Sequence, residues 1–185
     1  KKNQDFGGVF EEGKLENHYQ YLTINGQKWI VLSLEMGPRQ AVIKWANKVL
    51  ADHREHLAII LTHAYLVYGG KRYDHRRGHE RATPYNFYGE GADGEILWQT
   101  LVKKHANVMM VICGHLSAEY VGYRTDKGDH GNTVHQMLVD YEKLKRGGMG
   151  FLRLLEFFPD GNTVEVRTYS PVWHQIRTPI TKGDD

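Results

Sequence analysis

With 185 residues, 41% hydrophobic and 25% charged, the chain has the size of one compact domain, or a large piece of one, and an ordinary globular composition. No apolar run approaches the roughly 20 residues that span a bilayer, and a formal net charge of +2 is too small to argue for nucleic acid as a partner. The single cysteine, Cys113, excludes an internal disulfide and leaves the compartment open, export included.

Residues 1–16 are polar, glycine-punctuated and without period, and read as an irregular opening segment. His18 to Ile24 alternates weakly, and Asn25-Gly26 is a two-residue hairpin signal leading into Lys28 to Leu34. Gly37-Pro38 then opens a helix, since proline suits a first turn whose N–H groups have no partner. Val42, Trp45, Ala46, Val49 and Leu50 form its apolar face. Leu57 to Leu61 is short and wholly apolar, the pattern of a buried strand. Residues 64–92 form a long loop rich in glycine and tyrosine, and such loops are uncommon inside compact domains unless functional or disordered. Asp93 caps a second helix with Leu97, Trp98, Leu101 and Val102 inward.

A second buried strand, Val108 to Cys113, follows. Thereafter the texture is β: Glu119 to Thr125, Thr133 to Tyr141, Phe151 to Phe158 and Thr163 to Tyr169, with Asp160-Gly161 turning the last hairpin. The tail from Pro171 has no clear period. The order β-α-β-α-β followed by an antiparallel β meander predicts an α/β class fold, with residues 1–185 as a single unit.

Ligands in open α/β sheets gather at the carboxyl ends of the strands. There Trp29 to Leu34 runs into Glu35, Leu57 to Leu61 into Thr62-His63, and Val108 to Cys113 into Gly114-His115. Imidazole and carboxylate are the usual ligands of zinc, iron and manganese, and glycine before His115 would let the backbone turn sharply. A lone histidine after a strand is more often a hydrogen-bonded structural residue, and Glu35 reads as a capping or solvated residue. The pair of histidines on neighbouring strand ends is the stronger signal. The basic cluster Lys71, Arg72, His75, Arg76, Arg77, His79 and Arg81 reads as a solvated loop, with a lid for anionic substrates as the functional alternative. His53 and His56 read as surface residues.

Thr62-His63-Ala64-Tyr65 and Val111-Ile112-Cys113-Gly114-His115, each closing an apolar strand, resemble the latter half of the calcineurin-like metallophosphoesterase signature. Leu34 to Arg39 with Trp45-Ala46, Val134 to Tyr141, and Thr168-Tyr169-Ser170-Pro171 are similar to segments of bacterial members, and the likeness spans roughly residues 17–173. The resemblance implies that the chain is part of a four-layer α/β/β/α sandwich. It implies a divalent metal pair (Fe, Mn or Zn) held by aspartates, histidines and an asparagine from dispersed motifs, and a phosphate-ester substrate. By the same resemblance His63 and His115 are ligands of one metal.

Two departures qualify it. The second histidine of the family's Gly-His-x-His motif falls at Ser117, and no Asp-x-His, Gly-Asp-x-x-Asp or Gly-Asn-His precedes His63. His130 and His135 are the nearest substitutes. Two imidazoles without a bridging carboxylate do not hold two ions, so the chain alone is expected to bind metal weakly and to hydrolyse phosphate esters poorly or not at all. A homodimer, or association with a missing amino-terminal half, would cover the edges that such an absence leaves. The alternative function is a non-catalytic module gripping a glycan or protein through Tyr65, Tyr68, Tyr73, Tyr85 and Tyr88. A complete mononuclear hydrolase would need two further ligands.

Overall fold

Residues 5–77, 91–115 and 121–177 are described by the structure, a computed structural model. Strands β1 (Phe6–Val9) and β2 (His18–Ile24) pair antiparallel, and β2 turns through Asn25-Gly26 into β3 (Gln27–Leu34). Both turn residues have positive φ, 50° and 80°, as the common two-residue hairpin turn requires. Helix α1 (Gln40–Asp52) begins two residues beyond Pro38, after an extended Arg39. The Pro38 carbonyl accepts the Ala92 N–H at 3.0 Å instead, which ties the approach to the helix to the far end of the 64–92 loop.

Strands β4 (Leu57–Thr62), β5 (Leu66–Val67) and β6 (Lys71–Arg72) follow, then helix α2 (Gly94–Thr100) and β7 (Val108–Cys113). Asp93 caps α2 as expected, its carboxylate accepting the Ile96 N–H at 2.8 Å. Gly94 is required here: a Cβ on it would lie 1.9 Å from the Tyr65 carbonyl oxygen. The chain continues through β8 (Val121–Lys127), β9 (Thr133–Val139), β10 (Leu152–Phe157), β11 (Val164–Ser170) and β12 (Gln175–Arg177).

The protein is mixed α/β, with a seven-stranded sheet in the order β1-β2-β3-β4-β7-β9-β8 and a three-stranded sheet β10-β11-β12. Strands β3, β4, β7 and β9 are neighbours and all parallel. This corrects the expected meander. β8 and β9 do pair antiparallel, but within the large sheet, where β9 also lies beside β7 in parallel; β10 to β12 form a separate antiparallel sheet, and β5 with β6 a short two-stranded one. The reason is in β9 itself. Val134 and Leu138 face the helices while Met137 faces the small sheet, and a strand apolar on both faces belongs inside a covered sheet.

One core joins α1 and α2 to the large sheet through Ile30, Leu32, Val42, Leu50, Ile60, Leu97 and Val111. Another fills the space between the sheets with Trp29, Ile59, Met110 and Met137 against Leu155, Phe157 and Val164. Three layers result among the described residues. Strands β1 and β12 were not foreseen, because segments of three or four residues carry too little period to read.

The 64–77 stretch is anchored by a polar network. Arg72 donates to Glu95 and Asp126, each at 2.7 Å, and to the Gln136 side-chain oxygen at 3.1 Å, and lies over the Trp98 ring. Tyr65 donates its hydroxyl to Gln136 at 3.0 Å. Arg72 is therefore a buried strut and not part of a solvated basic face. Tyr65 and Tyr73 are buried as well, so they pack the loop onto the body and offer no gripping surface. Tyr68 is exposed, while His79, Arg81, Tyr85 and Tyr88 lie outside the described residues.

Burial acts to raise the Asp126 carboxyl, but hydrogen bonds from Arg124 and Gln136 and the charge of Arg72 outweigh it and bring the pKa from 3.8 to about 2. The unfolded chain thus takes up this proton more readily than the fold does. The stabilisation is complete above about pH 4 and is lost as pH falls through about 2, a change of about 2 kcal/mol. Denaturant unfolding at pH 5 and pH 2 should show a steeper loss of stability in the natural chain than in Asp126→Asn.

Candidate metal centre

The four parallel strands end at one rim. Leu34 pairs with Thr62, Leu61 with Ile112, and Cys113 with Leu138, so the residues just beyond them are Glu35, His63, Gly114-His115 and Val139-Asp140. The Gly114 N–H donates to the His63 carbonyl at 2.9 Å, closing β7 onto β4 past the end of their ladder. The ring centroids of His63 and His115 are 4.7 Å apart, with planes inclined by 50°. A metal about 2.0–2.1 Å from one nitrogen of each ring sets the centroids roughly 4.5–5.2 Å apart, the upper figure for a tetrahedral angle. The two rings have the spacing to share one ion.

The turn is made differently from the sequence expectation. The left-handed residue is His115, at φ 69°, and not Gly114. A side chain in that region is strained by about 1–3 kcal/mol, a condition that clusters at functional sites. Gly114 serves close approach instead: a Cβ there would lie 3.3 Å from the Val139 carbonyl oxygen. Burial, with the His63 ring adding to it, lowers the His115 pKa below the ordinary imidazole value, while Glu142 and Asp140 oppose the shift. The ring is therefore neutral at pH 7, the form that binds a metal.

Glu35 is occupied. Its carboxylate accepts from the Arg39 N–H, Nε and Nη2 at 2.8–3.0 Å and from Asn17 at 2.9 Å. Burial pushes its pKa up, but these partners win and hold it below the usual range. It orients the β3 end and offers no free oxygen to a metal. Cys113 beside the rim is buried, which pushes its thiol up to about 11, so it is protonated and inert.

His130 and His135 do not replace the missing ligand. His130 approaches the Lys104 carbonyl and His135 the Tyr123 hydroxyl. The first is in the turn before β9, and the second pairs with Met110 on β7, toward the end of the strand opposite Asp140. Ser117 lies outside the described residues. His53 and His56 are half-buried in an aromatic cluster with Tyr21, and His53 also bonds the Val49 carbonyl and the Tyr21 hydroxyl.

Asp140 stands just beyond β9 at the same rim, but its carboxylate does not form a group with both His63 and His115 in which all ligand atoms lie within 4.8 Å of one another. Its residue is 9% exposed. One oxygen accepts the Glu142 N–H at 2.9 Å, and Oδ2 is buried with no hydrogen-bond partner. Its place at the rim was missed in the sequence: the acidic residue follows a strand apolar on both faces, and reading that strand as part of a meander put it on the wrong sheet.

Among the described residues, the group of three that brings potential ligand atoms within 4.8 Å of one another is Asp74, His75 and Asp93, away from the histidine pair. Asp93 is committed to capping α2 and to the His75 ring at 2.6 Å, and Asp74 to Arg76 and Arg77. The bonds from His75 to Asp93 tie the end of the 64–77 stretch to the cap of α2. Among the described residues no helix is long and apolar enough to cross a membrane.

No family model matches the chain. Over 176 residues, 92% of its length, it is 33% identical to the uncharacterized protein YvnB of Bacillus subtilis (strain 168). The aligned region amounts to 12% of that relative, so the likeness concerns a small part of a much longer protein.

Proposed function

We propose that the chain is the carboxyl-terminal part of a calcineurin-like metallophosphoesterase domain, and that His63 and His115 bind one ion of a divalent metal pair in the complete domain. The carrying observation is the two imidazoles, 4.7 Å apart, at the tips of adjacent parallel strands. When bound, the pair would supply Lewis-acid polarisation of the phosphoryl oxygens of a phosphate ester. The chain's own contribution is placement. The Gly114-to-His63 hydrogen bond sets the distance between the strand tips, and burial keeps His115 neutral and ready to coordinate.

The residues at this rim do not suffice for two ions, since Glu35 is engaged and a second metal needs further carboxylates. The remaining ligands are assigned to residues outside 1–185. One part of the outer face of the small sheet supports the same reading, beside a charged part formed by Glu156, Glu165 and Arg167. Leu152, Leu154 and Ile176 are 39%, 44% and 61% exposed, the sort of apolar surface a further layer covers. That layer would complete the α/β/β/α sandwich, supplied by the missing half or by a second copy.

The test is hydrolysis of p-nitrophenyl phosphate and bis(p-nitrophenyl) phosphate, with added Mn²⁺ or Zn²⁺, by the complete reading frame that contains this chain. Hydrolysis is expected there, reduced at least about 100-fold by His63→Ala or His115→Ala, with no comparable turnover from residues 1–185 alone. Failure of the complete protein to hydrolyse either ester with any divalent ion, or turnover by the isolated chain to match the complete protein, would count against the proposal.

A further inference from the structure

We infer that the gap between the two sheets, on the β8 side, binds a small carboxylic acid with an apolar body, its carboxylate held by Arg153. No residue of the histidine rim lines this gap, so the site stands or falls apart from the metal reading.

Alternation along the small sheet fixes what faces inward. Phe157 with its β11 partner Val164, Leu155 with Val166, and Arg153 with Thr168 turn toward the large sheet, while Leu152, Leu154 and Glu156 turn away. Opposite them, Tyr123 on β8 pairs with Met137 on β9. Near β3 the two faces touch, Trp29 meeting Phe157 with ring centroids 5.2 Å apart. Toward β8 they do not. Val166 and Tyr123 are 39% and 58% exposed although they belong to facing surfaces, and a cavity of about 650 Å³ opens there, with Met110 and Met137 in its wall. That volume falls in the range of about 300–1,000 Å³ that takes small molecules, and such pockets combine an apolar lining with a few polar groups.

Arg153, which lines the same cavity, supplies the charge. Its Nη2 donates to the Tyr141 hydroxyl at 3.0 Å, while its Nε is buried with no hydrogen-bond partner. Among the described residues no carboxylate pairs with it, and no residue lining the cavity is acidic. Tyr123 and His135 satisfy each other across 2.7 Å, which leaves Arg153 Nε as the buried polar atom of the lining that is unmet. A buried guanidinium N–H without an acceptor is costly and calls for one. The edge that carries Nε and Nη2 matches the two oxygens of a carboxylate, and an apolar tail would cover Met137, Val164 and Val166.

Calorimetric titration of the 185-residue chain with decanoate and with decanol tests this, with methyl NMR of the methionines to locate the ligand. One equivalent of decanoate is expected to bind, about 10–100-fold more tightly than decanol, and to shift the methyl signals of Met110 and Met137 but not those of Met36 or Met149. Arg153→Gln should bring decanoate down to the affinity of decanol without changing decanol itself, and Arg153→Lys, which keeps the charge but not the fork, should fall between. Val166→Trp, which fills the gap without touching Arg153, should weaken both ligands. Decanoate that does not bind, that binds no more tightly than decanol, or that shifts only Met36 or Met149 overturns the site. Undiminished decanoate affinity in Arg153→Gln does so as well. Hydrolysis of phosphate esters by the complete protein decides the histidine reading separately.

Discussion

Arg72→Ala is expected to destabilise the protein by about 2–4 kcal/mol, approaching the range for breaking a buried ion pair, because Glu95 and Asp126 are 20% and 24% exposed and Asp126 keeps Arg124. The Arg72 side chain is 10% exposed, and its guanidinium bridges Glu95, Asp126 and Gln136 while lying over Trp98. Without it the carboxylates of Glu95 and Asp126 face each other across a partly dry space, and the fully buried Gln136 loses a donor. Lysine is no substitute, since it cannot present a planar fork to three acceptors and an indole face together. Urea unfolding followed by circular dichroism reads the effect as a lower midpoint at constant slope. A loss under about 1 kcal/mol would show that water screens the network as it does a surface pair.

Trp29→Ala should cost about 3–5 kcal/mol, as for other truncations of large buried aromatics. Trp29 is 6% exposed and meets Phe157 edge to face at 5.2 Å in the core between the sheets. That core is small, and the small sheet is further tied to the end of β9 by the bonds of Thr168 and Arg153 to the Tyr141 hydroxyl. A hydrogen bond from Asn25 to the Phe157 carbonyl at 2.9 Å is one other tie. Hydrogen exchange should therefore quicken first in the amides of β10 and β11, with β4 and β7 keeping their protection until global unfolding. Uniform loss of protection would mean that the two cores unfold as one unit.

Much of the scaffold was legible. Asn25-Gly26 announced its hairpin, Asp93 its helix, and the apolar runs before His63 and His115 named the two strands whose tips meet. These are local signals, written within a few residues. What escaped depends on distant partners. Nothing local to Thr133–Val139 says that β9 runs parallel to β7 between it and β8; only the demand to bury Val134, Met137 and Leu138 on opposite faces does. Asp140 escaped with it. The need for glycine at position 114 likewise follows from the close approach of the Val139 carbonyl, a neighbour distant in sequence. His130 and His135 were suggested by number alone, and the direction of β9 removes them from the rim.

The backward-bent peptide at position 115 also bears on how relatives can be read. An imidazole held in that conformation is disfavoured unless something grips the ring, whereas glycine, with no Cβ, sits there without strain. If the proposed metal role of this rim is right, relatives that have lost it are expected to carry glycine or asparagine at this point, which relieves the strain that histidine bears there.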